Sequence, residues 1–290
     1  MKNESHAHLQ DLLNLIQIKP VGEDRFVGRS KNIGTNAVFG GQVLGQALMA
    51  ARLTVSEDRV AHSLHAYFLQ PGAHQPIDYA VDRHRDGGSF SARSVVARQD
   101  GNPIFKMTTS FQKPETGLDR HDPMPAIPGP ERLLEEAELF EAVRARLPEQ
   151  FRDKSPVLNG LDYRPVIPFD WLDPKPREAR SSIWMRASSA LPDDRFIHQA
   201  LLAYASDHGP LLTATLPHGL SYVRGQVRLA SIDHSMWFHR DFRMDDWLLY
   251  HIDSPNVHGS RAFCRGAIYT RAGLLVATTM QEGLMRTCET

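Results

Sequence analysis

The sequence predicts an α+β fold in which two antiparallel β-sheets, each wrapped around a central α-helix, lie side by side as a pseudo-dimer. Three observations predict it. The second half of the chain repeats the framework of the first, each copy holds a helix-forming segment that is apolar on most faces, and each such segment is followed by strand-like runs joined by tight turns. A helix that apolar cannot lie on a surface, and antiparallel strands hide it only by curving around it.

Near the N-terminus, Leu9, Leu12, Leu13 and Ile16 give a short amphipathic pattern. It lacks the unbroken apolar run of a signal peptide or membrane span, which predicts a cytoplasmic protein without membrane partners. Phe39-Gly40-Gly41 then opens the first central helix, Gln46-Ala47-Leu48-Met49-Ala50-Ala51. Small residues at that entry allow close backbone packing and leave amide N–H groups facing outward. The matching helix is Gln199-Ala200-Leu201-Leu202-Ala203-Tyr204-Ala205, entered through Asp193 and Asp194, either of which suits an N-cap.

Each helix leads into an apolar and aromatic run, residues 63–69 in one copy and 231–239 in the other, which reads as one strand. Hairpins follow. Residues 91–99 and 104–112 flank Asp100-Gly101, residues 262–270 and 274–281 flank Ala272-Gly273, and both turns tolerate positive φ. Between the copies, residues 113–130 are rich in Pro and Gly and precede a predicted surface helix over about 131–146. Residues 163–171 and 181–187 read as the opening strands of the second unit, with 174–178 as their turn. The expected organisation is an N-terminal unit over 1–115, a linker over 116–155 and a C-terminal unit over 156–290.

With 33 Lys plus Arg against 34 Asp plus Glu, the net charge is −1, which gives no long-range attraction to nucleic acid or to an anionic membrane. Cys264 and Cys288 are the two cysteines, too few for a disulfide framework or a thiolate metal site. His62 and His65 fall on opposite faces of a strand, and neither they nor His74 and His84 have a cysteine or clustered carboxylate nearby, so no metal is expected.

Chemistry concentrates in the second half, where Asp207, Ser231 and Gln281 place a carboxylate, a hydroxyl and an amide on three separate elements. The first half lacks the carboxylate. Asp233 and His234 suggest a Ser-His-Asp triad with Ser231 or Ser235, but adjacent strand residues point to opposite faces. The better reading makes Asp233 or His234 a buried hydrogen-bonding residue that braces the site.

Long segments carry a family resemblance. They are Val38-Phe39-Gly40-Gly41-Gln42-Val43-Leu44-Gly45-Gln46-Ala47-Leu48, His65-Ala66-Tyr67-Phe68-Leu69-Gln70-Pro71-Gly72, Ile232-Asp233-His234-Ser235-Met236-Trp237-Phe238-His239 and Gln281-Glu282-Gly283-Leu284-Met285-Arg286. Over nearly its full length the chain resembles the acyl-CoA thioesterase II family, whose fold is the double hotdog. The resemblance implies hydrolysis of acyl-CoA, without a cofactor, by an Asp, a Thr or Ser and a Gln that hold the attacking water. By position these are Asp207, Ser231 and Gln281. It also implies association into dimers or tetramers.

Two departures stand out. Ser231 occupies a position where many members carry Thr, which keeps the hydroxyl but loses the β-branch that restricts χ1. His208-Gly209-Pro210 should end the helix abruptly after the aspartate. Backbone N–H groups of Gly40 and Gly41, or those at the start of the second central helix, are the candidate donors to the developing oxyanion. The competing reading is a hotdog hydratase or dehydratase, for which Asp207-His208 offers the Asp-His pair. An acyl-CoA sensor is a third, but it should lack the water-holding residues.

Overall fold

A computed structural model of the chain describes residues 2–152 and 160–288. Helix α1 (Lys2–Ile16) is followed by β1 (Lys19–Gly22), β2 (Arg25–Gly28), helix α2 (Gly40–Arg52), β3 (Val60–Phe68), β4 (Ile77–Asp86), β5 (Phe90–Gln99) and β6 (Asn102–Gln112). Helices α3 (Glu136–Val143) and α4 (Glu149–Arg152) lie between the halves. The second half runs β7 (Leu161–Pro165), β8 (Arg180–Ala187), α5 (Arg195–Ser206), α6 (Pro210–Thr215), β9 (Val227–Ser231), β10 (Asp233–Phe238), β11 (Leu248–His258), β12 (Arg261–Thr270) and β13 (Leu275–Thr287).

The described strands form one antiparallel sheet in the order β1-β2-β4-β5-β6-β3-β10-β13-β12-β11-β8-β7, with β9 pairing onto β13. The two halves therefore join edge to edge through β3 and β10, where Ser235 faces His65 and Trp237 faces Ser63. Inside lie α2 and α5, buried along nearly their whole lengths, with Leu44, Leu48, Leu201 and Leu202 in one core with α1 residues Leu9, Leu12 and Ile16. Each such leucine contributes about 2–3 kcal/mol through removal of its apolar surface from water.

The helices pass backbone against backbone. A Cβ on Gly41 would stand 2.1 Å from Tyr204 O, and one on Gly45 would stand 2.9 Å from Ala200 O, so these two positions admit no side chain without moving α5. The run is antiparallel, bringing the N-terminus of α2 to the C-terminus of α5. Gln46, buried in the core, has both ends satisfied: Nε2 donates to Leu15 O (2.5 Å) and Arg29 O (2.8 Å), and Tyr79 Oη donates to Oε1 (2.6 Å). At the entry to α5, Asp194 is the N-cap and accepts from Phe196 N at 2.9 Å.

The β5–β6 turn takes φ of 49° at Asp100 and 78° at Gly101, the doubly positive turn that matches strand twist. Three expectations are corrected. The surface helix expected over 131–146 is broken, with 3₁₀ turns at Pro130–Arg132 and Arg144–Arg146 flanking α3. Glu135 begins α3 late by a reciprocal capping box with Glu138, and Phe140 and Leu147 bury against Trp171, Leu172 and Val223. The strand expected over 163–171 ends at Pro165; one further bond, Val166 N to Ser182 O at 2.9 Å, follows before Pro168, which has no N–H to donate.

The third correction concerns residues 231–239, which form two strands broken at Ile232. Ser231 faces Gly283 on one side of the break, whereas Ser235 faces Met280 on the other, a one-residue slip in register against β13. Asp233 Oδ1 holds the slip by accepting from Glu282 N at 2.6 Å, and Ile232 N donates to Glu282 O at 2.9 Å. A one-residue slip exchanges the two faces of a strand. Among the described residues, no helix is long and apolar enough to cross a membrane.

Candidate active site

Asp207 is the C-cap of α5. Gly209 follows at φ 102°, a left-handed turn that ends the helix, and Pro210 starts α6. At that point the carboxylate meets three donors from three other elements. Its Oδ1 accepts from Gln281 Nε2 on β13 at 2.8 Å and from Ser231 Oγ at the end of β9 at 3.1 Å. Its Oδ2 accepts from Gly41 N in the first turn of α2 at 3.0 Å. Gln281 Nε2 also donates to Ser231 Oγ at 2.7 Å, closing the triangle. The positive end of α2 thus faces the carboxylate directly.

Burial dominates the electrostatics of Asp207 and pushes its pKa up from 3.8 to about 6, against the opposing effect of Gln281, Ser231, Gly41 and His208. A carboxylate so placed is a stronger base than a free one, yet it remains ionised at neutral pH.

Behind the triangle stands His234, fully buried. Gln281 Oε1 can only accept, so the 3.3 Å contact requires His234 Nδ1 to carry the proton. The other nitrogen, Nε2, faces the Ser206 hydroxyl at 2.9 Å. Desolvation lowers the His234 pKa from 6.5 to about 4, so the ring is neutral. Asp233 points elsewhere and pins Glu282 N of β13 at 2.6 Å. Of the residues singled out by sequence, Asp207, Ser231, Gln281, Gly41 and His234 come together, with Gly40 alongside; a Cβ on Gly40 would meet Asp207 Oδ2 at 2.6 Å.

Sequence reasoning missed two groups. One is Glu136 of α3, whose Oε2 lies 3.0 Å from His208 Nε2. The other is Arg93, buried beside the end of α2, where Nε donates to Thr54 Oγ1 at 2.9 Å and Nη2 to Asp86 Oδ1 at 2.7 Å. Aligning Gln46 with Gln199 sets Thr54 opposite Asp207, so in the first half an arginine and a threonine fill the corresponding corner. The duplication in sequence contained that signal. The histidines His62, His65 and His84 bind Ser110, Ser235 and Ser94, and His74 binds Thr35 O.

Two helices back to back inside one continuous antiparallel sheet, with a carboxylate–hydroxyl–amide cluster where they meet, define a double hotdog protein. Models of the acyl-CoA thioesterase N-terminal domain and of acyl-CoA thioesterase match residues 27–112 and 174–284. Acyl-CoA thioesterase 2 of Haemophilus influenzae is 39% identical over 282 residues, covering 97% of this chain and 99% of that protein. Human acyl-coenzyme A thioesterase 8 is 38% identical, covering 94% of this chain and 88% of that protein. The crystal structure of an acyl-CoA thioesterase II, TesB2, from Mycobacterium marinum matches with a TM-score of 0.78 at 38% identity, over 95% of this chain and 98% of that one. The chain belongs to the acyl-CoA thioesterase II family.

Proposed function

We propose that the protein hydrolyses fatty acyl-CoA to the free fatty acid and coenzyme A through a water activated by Asp207, with Ser231 and Gln281 holding the carboxylate. The observation that carries this reading is the occupancy of its two oxygens. Oδ1 is taken by Gln281 and Ser231, which leaves a lone pair of Oδ2, beside Gly41 N–H, to receive a proton from water.

The water oxygen attacks the thioester carbonyl carbon as its proton passes to Asp207 Oδ2. The tetrahedral oxyanion then collapses with cleavage of the C–S bond, and the proton returns from Asp207 to the departing thiolate. Because Gly41 N–H serves Asp207, the N–H of Gly40 at the first position of α2 is the remaining donor there for the carbonyl oxygen. A thioester has a good leaving group, so one base and oriented donors are enough.

The hydratase or dehydratase reading, which needs His208 beside Asp207 as its partner, is less supported, since His208 Nε2 turns to Glu136. As part of the same proposal the protein acts in the cytoplasm as a homo-oligomer. Exposed Tyr67 and Met280 on the outer face of the sheet, next to the β3–β10 seam, offer apolar surface for association. Light scattering of the purified protein tests that point.

The activity is tested by thiol release from saturated acyl-CoAs of short to long chain. Wild type should release free thiol, and Asp207→Asn should lower kcat by about 10²–10⁴-fold without unfolding. Full turnover by folded Asp207→Asn would overturn the mechanism.

A further inference from the structure

Glu136 and His208 form an ion pair that the hydrolytic scheme does not use. Their Oε2–Nε2 distance is 3.0 Å and their side chains are only 9% and 10% exposed. Several contacts hold Glu136 in place. It is the first residue of α3, whose start is fixed by the capping box of Glu135 and Glu138. Arg164 of β7 fastens that start by donating Nη2 to Glu135 Oε1 at 2.8 Å and Nη1 to Pro130 O at 3.0 Å. Phe140, one turn on, packs edge-on against Trp171 with ring centroids 5.9 Å apart.

His208 is equally fixed. Its ring lies 4.7 Å from that of Tyr163, and it directly follows Asp207 in the chain. The charged and titratable groups around it are Glu136 from α3, Asp207 at the end of α5 and Tyr163 from β7, with Arg177 lining the same small pocket. That pocket has a volume of about 60 Å³, room for a few waters.

A buried imidazole alone prefers to be neutral. Here desolvation, the largest single effect, is outweighed by the Glu136 carboxylate together with a smaller contribution from Asp207, and the His208 pKa is raised above its ordinary value. The positive partner of the pair directly follows the base in the chain, and its charge acts to lower the Asp207 pKa.

We propose that Glu136, supplied by the segment between the two units, is a positioning residue for the hydrolysis: by holding His208 as an imidazolium it sets a positive charge beside Asp207 and keeps that carboxylate ionised. The linker helix then tunes the charge around the base through His208, as well as connecting the two units. This inference rests on Asp207 being the base.

The test is the pH dependence of kcat/KM for acyl-CoA hydrolysis in wild type, Glu136→Gln, Glu136→Asp, His208→Asn and the Glu136→Gln/His208→Asn double variant. Glu136→Gln should move the acid limb upward by roughly 0.5–1 pH unit while leaving the alkaline plateau within about twofold. Glu136→Asp should restore part of the shift. In the His208→Asn background, Glu136→Gln should add nothing. A limb that stays put or moves downward, or a lowered plateau with an unmoved limb, overturns the proposal.

Proton NMR of the full-length protein supplies an independent readout that needs no variant to be active. The His208 ring should titrate above the ordinary histidine range, and a titration below it overturns the proposal. Absence of any Asp207-dependent hydrolysis by wild type would instead overturn the mechanism on which the proposal rests.

Discussion

Ser231 and His234 stand three residues apart yet both bind Gln281: its Nε2 donates to Ser231 Oγ at 2.7 Å, and its Oε1 receives His234 Nδ1–H at 3.3 Å. On an unbroken strand residues three apart face opposite ways. The slip at Ile232 removes that conflict by switching the inward set from odd positions in β9 to even positions in β10. Gln281, between them, has its amide orientation fixed from both ends.

His234 therefore acts by choosing which end of the Gln281 amide faces Asp207. Replacing it by Leu removes the donor to Oε1, and kcat should fall about 10–100-fold with little change in KM, the kinetic equivalent of about 1.5–3 kcal/mol. Steady-state kinetics on the folded variant check this. Unchanged kcat would mean that Ser231 and Asp207 orient the amide unaided.

The pH–rate profile follows from Asp207. With its pKa pushed up to about 6 by burial, kcat/KM should rise with pH and level off above about pH 7. Its acid limb should disappear from the residual activity of Asp207→Asn. A limb near pH 4 would mean that the site is wetter than its burial indicates.

Stability should show two opposing pH dependences from adjacent groups. The carboxyl of Asp207 binds its proton more tightly when folded, so its contribution is fully present below 3.8 and is lost as pH rises through about 6. For His234 the folded pKa is depressed from 6.5 to about 4, so its contribution is present above 6.5 and is lost as pH falls through about 4. Each amounts to at most about 3 kcal/mol, and in wild type they largely cancel between pH 4 and 6. Urea unfolding across that range should expose a falling slope with pH in His234→Leu and a rising one in Asp207→Asn.

Two neighbouring glycines should fail differently. Gly41→Ala drives a Cβ against the backbone at Tyr204 O, only 2.1 Å away, and should destabilise the fold by about 2–3 kcal/mol in thermal or urea unfolding. Gly40→Ala meets Asp207 Oδ2 at 2.6 Å and the Phe68 ring at 2.8 Å, both side chains that can shift. Its stability should change little, whereas displacement of the carboxylate should lower kcat by at least about tenfold. Equal effects on stability would show that α2 and α5 are less tightly packed than the spacing requires.

Residue type carried much of the fold. The apolar runs of α2 and α5 and the Asp100-Gly101 turn each act within a few residues, so they could be read locally. Strands β4 and β11 were not anticipated. The outer half of β4, Asp82-Arg83-His84-Arg85-Asp86, is polar and mostly exposed, while Pro255 interrupts the pairing of β11 with β12 between Asp253 and Asn256. Neither gives a simple alternation. Glu136 was also invisible, because its partner lies 72 positions away and no spacing rule links a linker carboxylate to a histidine at a helix end.

By itself the sequence determined that two apolar helices must be enclosed by antiparallel strands, which carboxylate, hydroxyl and amide the second copy carries, and that the first copy lacks the carboxylate. It could do so because helix formation, burial and turn chemistry depend on neighbours in the chain. Only the tertiary structure decided that Ser231 faces inward, that Gly41 N–H is given to Asp207 and that Glu136 reaches His208. Those facts depend on a one-residue slip held by Asp233, on backbone contact between antiparallel helices and on a long-range ion pair, and each is set by where distant segments meet.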